Sequence, residues 1–132
     1  MTVSATSVDA TTFPRLLEMH AAIRGARPAI REKDLGIWQT YSWSQVLIEV
    51  EAIAGGLASL GFTRGDSLAI IGDNRPRLYF SMMAAQCLGG VPVPLYQDAV
   101  AQEMVYVLQD ADVKFAIVED QEQIDKLLGI SP

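Results

Sequence analysis

The sequence predicts an α/β fold: a three-layer, partial parallel sheet of the doubly wound kind with helices on both faces, preceded by one helix and a β-hairpin. Three observations predict it. Short apolar runs at 67–71 (SLAII), 91–95 (VPVPL) and 114–118 (KFAIV) do not alternate with polar residues, as expected of parallel strands covered on both faces. Stretches at about 75–88, 99–110 and 121–128 follow these runs and are long enough to serve as crossover helices. Ahead of them, 28–32 (PAIRE) and 36–41 (GIWQTY) are β-branched or aromatic runs separated by Lys33–Gly36, a hairpin around a Lys-Asp-Leu-Gly turn.

Taken in order, residues 1–11 (MTVSATSVDAT) are small and polar with nothing to bury, so they read as a disordered arm, leaving 12–132 as a single domain. Thr12 is placed to cap a first helix with Pro14 in its first turn, and Leu16, Leu17, His20 and Ile23 then share a face up to Gly25. The second helix carries the clearest signature. Ser42 and Gln45 form a capping box, and Val46, Val50, Ile53, Leu57 and Leu60 recur at helical spacing before Gly61. Gly55 and Gly56 lie inside it at about 1 kcal/mol each relative to Ala, which predicts another backbone packed closely there. Asp120 and Gln123 make a second capping box, and Asn74 and Asp98 are the candidate caps for the other two crossover helices. Pro92 and Pro94 have their missing donors on one side of their strand, so that side is expected to be a sheet edge.

Composition narrows the function classes. The chain has 132 residues, with 10 Lys plus Arg against 16 Asp plus Glu for a net charge of −6, so clustered cations for nucleic acid are wanting. One cysteine excludes an internal disulfide, and Cys87 with His20 falls short of a zinc ligand set. No apolar run reaches the ~20 residues of a membrane span, and 1–12 lack the basic start and apolar stretch of a secretory signal, so a cytoplasmic location is expected.

Each candidate for chemistry has a structural reading that outweighs the functional one. Gly72-Asp73-Asn74-Arg75-Pro76 joins a strand to a helix, where α/β sheets bind anions, but it holds one glycine where a phosphate cradle uses several. It is read as a turn in which Asp73 or Asn74 caps the helix and Arg75 and Arg77 face solvent. His20 has no visible nucleophile or orienting carboxylate beside it and is assigned to packing. Cys87, in MMAAQCLGG, reads as a buried small hydrophobe, with Leu78, Met82 and Met83 as core. Glu49 and Glu51 are dense carboxylates without a shared pocket in view, and Glu119, Asp120, Glu122 and Asp125 open a helix, where negative charge is favourable. Ring burial accounts for Trp38 and Trp43. No catalytic, cofactor-binding or metal residue is assigned.

With the elements placed, PAIREKDLGIWQTYSWSQV, GFTRGDSLAIIGDNRP, CLGGVPVPLY and VKFAIVEDQEQIDKLL together, from about Phe13 to Leu128, resemble the N-terminal end of the adenylate-forming (AMP-binding) enzymes, most closely the long-chain acyl-CoA synthetase branch. Each segment is a packing pattern; their order and spacing carry the resemblance. It implies a parent that uses ATP, magnesium and coenzyme A to make an acyl-adenylate and then a fatty acyl thioester, with room for peripheral membrane contact. The motifs that carry this chemistry in the family are absent here: a YTSGTTGxPKG phosphate loop, an acidic adenine and magnesium motif, a ribose-binding Asp and a lysine on a mobile C-terminal domain. The only Thr cluster, Thr11-Thr12, lies at a helix start. The chain stops at Ser131-Pro132, where such an enzyme runs on toward its phosphate loop, so it reads as an N-terminal fragment, inactive by itself. Its expected partners are the remainder of the parent chain and, as a fragment, further copies of itself. The alternative is a self-contained, non-catalytic interaction module.

Overall fold

The computed structural model describes residues 11–130, so of the arm expected over 1–11 all but Thr11 lies outside the described residues. Thr12 opens α1 (Phe13–Arg24): its hydroxyl accepts the Arg15 N–H at 3.4 Å, with Pro14 in the first turn where no N–H is required. Leu17 is buried and Leu16 and His20 half-buried, while Ile23 is exposed.

Strands β1 (Pro28–Asp34) and β2 (Ile37–Ser42) form an antiparallel hairpin. Its turn is shorter than expected. Lys33 pairs with Trp38 and Asp34 with Ile37, which leaves only Leu35 and Gly36 as the loop. Both have positive φ, 48° and 80°, the sign that a type I′ turn requires at its two central positions; this twist matches the strands and lets the ladder run up to the tip. Trp38 therefore sits near an exposed tip and is not buried, contrary to expectation.

The capping box of α2 (Trp43–Ser59) is present, the Ser42 N–H donating to Gln45 Oε1 at 2.8 Å and the Gln45 N–H to Ser42 Oγ at 3.2 Å. Val46, Val50, Ala54 and Leu57 are buried and Ile53 half-buried, but Leu60 is 74% exposed. The helix ends at Ser59 in a Schellman motif: Gly61, at φ 97°, donates to Ala58 O at 3.0 Å, and the Phe62 N–H reaches Leu57 O at 3.1 Å. This reversal folds Phe62 into the core in the place the spacing gave to Leu60. Gly55 and Gly56 also depart from expectation. They lie on the solvent face, and a Cβ at either would meet nothing within 4 Å. The tight approaches are at other glycines, notably Gly90, whose Cβ would enter the Phe62 ring.

Three parallel strands, β3 (Ser67–Ile71), β4 (Val91–Leu95) and β5 (Val113–Val118), stand in the order β4-β3-β5, linked by α3 (Pro76–Cys87) and α4 (Ala101–Asp110) and followed by α5 (Gln121–Ile130). β4 is an edge, as its prolines require. The Val91 N–H bonds Asp66 O at 2.9 Å on the β3 side, so Pro92 and Pro94, one residue out of phase, face outward. The path from β3 to β4 runs one way and that from β4 to β5 runs back past β3, so right-handed crossovers place α3 and α4 on opposite faces. Leu68 and Ile70 pack with Val50, Leu57, Phe80 and Ala84 of α2 and α3, while Ala69 and Ile71 point to the other face, where Met104 of α4 is buried. Edge-to-face pairs Tyr41–Phe80 and Phe62–Phe115, each 5.2 Å between centroids, tie the hairpin to α3 and the α2–β3 connection to β5.

The expected caps of the crossover helices are not used. Arg75 and Val100 occupy the N-cap positions of α3 and α4 without side-chain bonds, because Asn74 Oδ1 accepts the Tyr79 hydroxyl and Asp98 stands two residues too early. At α5 half of the box forms: Asp120 Oδ1 accepts the Gln123 N–H at 3.1 Å, while the Gln123 amide turns to another loop.

Candidate functional site

The strand order creates one position that open α/β sheets use for ligands. β3 and β5 are neighbours, yet the helices that follow them leave toward opposite faces, α3 with α2 and α5 with α4, so their C-terminal ends part into a crevice at the topological switch. A cleft of about 660 Å³ opens there. Ile53, Ile70, Leu78 and Ile117 give it an apolar floor, and Glu32, Asp34, Asp73, Arg75, Arg77 and Glu119 give it a charged rim.

Glu119 organises the rim. It follows β5 directly, its N–H bonded to Ile71 O at 3.0 Å, and its side chain accepts the Asp73 N–H from the turn after β3. Arg75 reaches Glu119 Oε1 through Nε at 3.5 Å and Glu32 Oε1 through Nη1 at 3.8 Å, spanning from the sheet to the hairpin. Because Arg75 is more than half exposed, these pairs are worth less than about 1 kcal/mol each and position side chains more than they stabilise the fold. A Cβ on Gly72 would lie 2.9 Å from Glu119 Cβ, so the turn's single glycine makes room for a carboxylate side chain.

A second set of bonds ties the turn after β3 and the loop after β4 to α5. Asp73 Oδ1 accepts from Gln97 Nε2 at 3.0 Å, and Gln97 O accepts both Gln123 Nε2 at 3.1 Å and Lys126 Nζ at 2.7 Å. Neither Gln97 nor the Glu119–Arg75–Glu32 chain was marked by any local pattern in the sequence. Their partners lie 24 to 46 residues away along the chain for the bonds to Asp73, and 26 and 29 for those to Gln97 O. Arg75 and Asp73 belong to the Gly72–Pro76 turn and Glu119 to the acidic string that opens the last helix, but neither segment indicates that the two meet.

The remaining candidates stand elsewhere. His20 stacks at 4.6 Å on half-buried Trp43, as packing predicts, with its Nδ1 buried and unbonded. Cys87 is exposed and not the buried hydrophobe expected, because it closes α3 at the solvent end of the helix; partial burial of the thiol, then Glu18 and Glu51, raise its pKa above the ordinary 9.0. Arg75 and Arg77 are exposed as expected, though Arg75 is engaged. Neither His20 nor Cys87 lines the cleft, and the one hydroxyl that does, on buried Ser81, donates to Arg77 O at 2.8 Å. The turn is also a poor phosphate cradle: the Asp73 N–H is taken by Glu119 and the Arg75 N–H by Asp73 O at 2.7 Å, in a rim holding four carboxylates against two arginines.

The fold is that of the N-terminal subdomains of adenylate-forming enzymes. The N-terminal domain of FACL13 from Mycobacterium tuberculosis superposes with a TM-score of 0.80 at 22% identity, over 89% of this chain and 29% of that one. O-succinylbenzoate coenzyme A synthetase (MenE) from Bacillus subtilis, solved with AMP, superposes at 0.77 and 23% identity, over 86% of this chain and 29% of that one. In sequence, the long-chain-fatty-acid–CoA ligase ACSBG2 of Rattus norvegicus is 31% identical over 121 residues, 92% of this chain and 18% of the rat enzyme. The family model described as AMP-binding enzyme matches residues 17–132, and the chain belongs to that family. It spans less than a fifth of the length of the curated ligase it matches.

Proposed function

We propose that the chain is the N-terminal portion of an ATP-dependent long-chain fatty acid–CoA ligase, whose parent forms an acyl-adenylate and then transfers the acyl group to coenzyme A. The observation that carries this is the 31% identity to the rat long-chain ligase across 92% of the chain. The part played by these residues is architectural: a first βαβ unit and a hairpin that form one wall of the larger domain. ATP, magnesium and coenzyme A are assigned to the parent: in the turn after β3 the Asp73 and Arg75 N–H groups are already bonded, and the carboxylates around it repel phosphate. Among the described residues no three His, Cys, Asp or Glu gather as a metal site. The chain alone is expected to be inactive.

The remainder of the parent is the first partner. In its absence, self-association is the second reading, supported by the open edge of β5 and a groove of about 470 Å³ beside it, lined by Val105, Leu108, Phe115, Leu127 and Ile130. The cytoplasm is the location this reading carries with it. No helix of the described residues is long and apolar enough to cross a membrane.

The test is to sequence the gene beyond the Pro132 codon and to assay its whole product for AMP release that depends on a long-chain fatty acid and coenzyme A. A phosphate loop downstream and fatty-acid-dependent AMP release support the proposal. A stop codon at that point, with a stable product, favours the self-contained interaction module instead.

A further inference from the structure

The cleft at the ends of β3 and β5 joins an apolar floor to a rim of unbalanced charge. Ile70 in the floor is buried, but Ile53, Leu78 and Ile117 remain half-buried where they line it. The rim is acidic from two directions. Glu32 and Asp34, two residues apart on β1, point the same way as Ile30, which packs on the core, and so overhang the floor from the hairpin. Asp73 and Glu119 approach from the ends of β3 and β5. Arg75 and Arg77 oppose these four carboxylates, which leaves a net charge of −2 around the opening.

The rim's own cations do not satisfy it. Arg75 lies 3.5 Å from Glu119 and 3.8 Å from Glu32, beyond the roughly 2.7–3.2 Å of a direct N–H···O bond, and is more than half exposed. Among the described residues Asp34 and Arg77 take part in no ion pair, and the Asp73 carboxylate accepts from the neutral amide of Gln97. Arg75 is therefore a loosely held occupant of a position that attracts positive charge, set directly above uncovered isoleucine and leucine.

We infer that the cleft is a binding site for an alkylammonium, an organic cation with an apolar chain. The chain lies on Ile53, Leu78 and Ile117, and the ammonium takes the place of the Arg75 guanidinium among Glu32, Asp34 and Glu119. The volume of about 660 Å³ falls within the roughly 300–1,000 Å³ of small-molecule sites. Charge and floor together select this class. A carboxylate or phosphate on the same chain meets a rim of its own sign, held in a concave site that focuses the field. A cation without the chain leaves the floor wet, and a neutral chain forgoes the rim. The site rests on the cleft alone and is independent of the proposed ligase function.

The test follows the methyl resonances of Ile53, Leu78 and Ile117 by NMR as octylammonium, hexylammonium, ethylammonium, octanoate or 1-octanol is added to the chain. Octylammonium is expected to shift them saturably and to bind about tenfold more tightly than hexylammonium, since each buried methylene adds about fourfold. Ethylammonium, octanoate and 1-octanol should all bind more weakly than octylammonium. Glu119→Gln, which keeps an acceptor for the Asp73 N–H, and Asp34→Asn should each weaken octylammonium by about threefold, and Arg75→Gln should tighten it by about as much. Opposite signs from one rim cannot come from loss of the fold. Absence of a saturable shift with octylammonium overturns the assignment. Octanoate or 1-octanol binding as tightly overturns the role of charge, and ethylammonium binding as tightly overturns that of the floor. Weaker binding by Arg75→Gln, or shifts centred on Val105, Leu108 and Leu127 in the groove beside β5, also overturns it.

Discussion

Replacing Leu57 with alanine tests how the core is closed. Leu57 is 5% exposed and packs in the cluster that joins α2, α3 and β3. Truncation of such a leucine costs 2–5 kcal/mol, the spread reflecting how far the neighbours relax into the gap. Relaxation here is limited: Phe62, the neighbour brought in by the Schellman motif, is fixed by Gly90 against one side of its ring and by Phe115 at 5.2 Å. The expected loss is therefore about 3 kcal/mol or more, a large share of the roughly 5–15 kcal/mol of a domain of this size. Urea unfolding followed by circular dichroism reads it as a lower midpoint at unchanged slope. Leu60→Ala is the internal control. At 74% exposure it should change stability by less than about 0.5 kcal/mol, although both leucines fall on the same periodic stripe in the sequence. A loss below about 1 kcal/mol at Leu57, or equal losses at both sites, would refute the Phe62-for-Leu60 exchange at the end of α2.

Gly55→Ala and Gly56→Ala should each stabilise the chain by up to about 1 kcal/mol, since an added Cβ meets open space in a helix interior; a loss of stability would restore the close backbone approach that the sequence suggested. Cys87, though exposed, should react with a disulfide reagent more slowly than free cysteine near neutral pH. Its raised pKa leaves less thiolate, and Glu51→Gln should quicken it; equal rates would contradict the assigned causes. Light scattering coupled to size exclusion should find discrete oligomers that weaken when Lys replaces Leu127, and a strict monomer at high concentration would remove the self-association reading.

What the sequence made legible was local. The apolar runs of β3 and β4, the Ser42–Gln45 box and the outward prolines of β4 each depend on a few adjacent residues, and the structure keeps them all. The misreadings arise where a side chain finds a partner outside its local pattern or where a turn takes a geometry its residue types do not reveal. Asn74 fails as a cap because a tyrosine hydroxyl takes its side chain, and Gln123 completes only half its box because Gln97 O lies within reach. Trp38 is exposed because the type I′ turn extends the hairpin past the core, a matter of two φ values that Leu35 does not announce. The switch-point cleft could be placed only once β5 was known to lie beside β3, an order that strand runs in sequence do not encode.

On the proposed reading these residues contribute scaffold and no nucleotide site to the parent enzyme. Calorimetric titration of the chain with ATP and magnesium addresses it most directly. No binding heat beyond dilution is expected, because the Asp73 N–H is held by Glu119 and carboxylates outnumber arginines around the cleft. Saturable binding in the micromolar range, abolished by Arg75→Ala, would contradict it and make the cleft after β3 a nucleotide site in its own right.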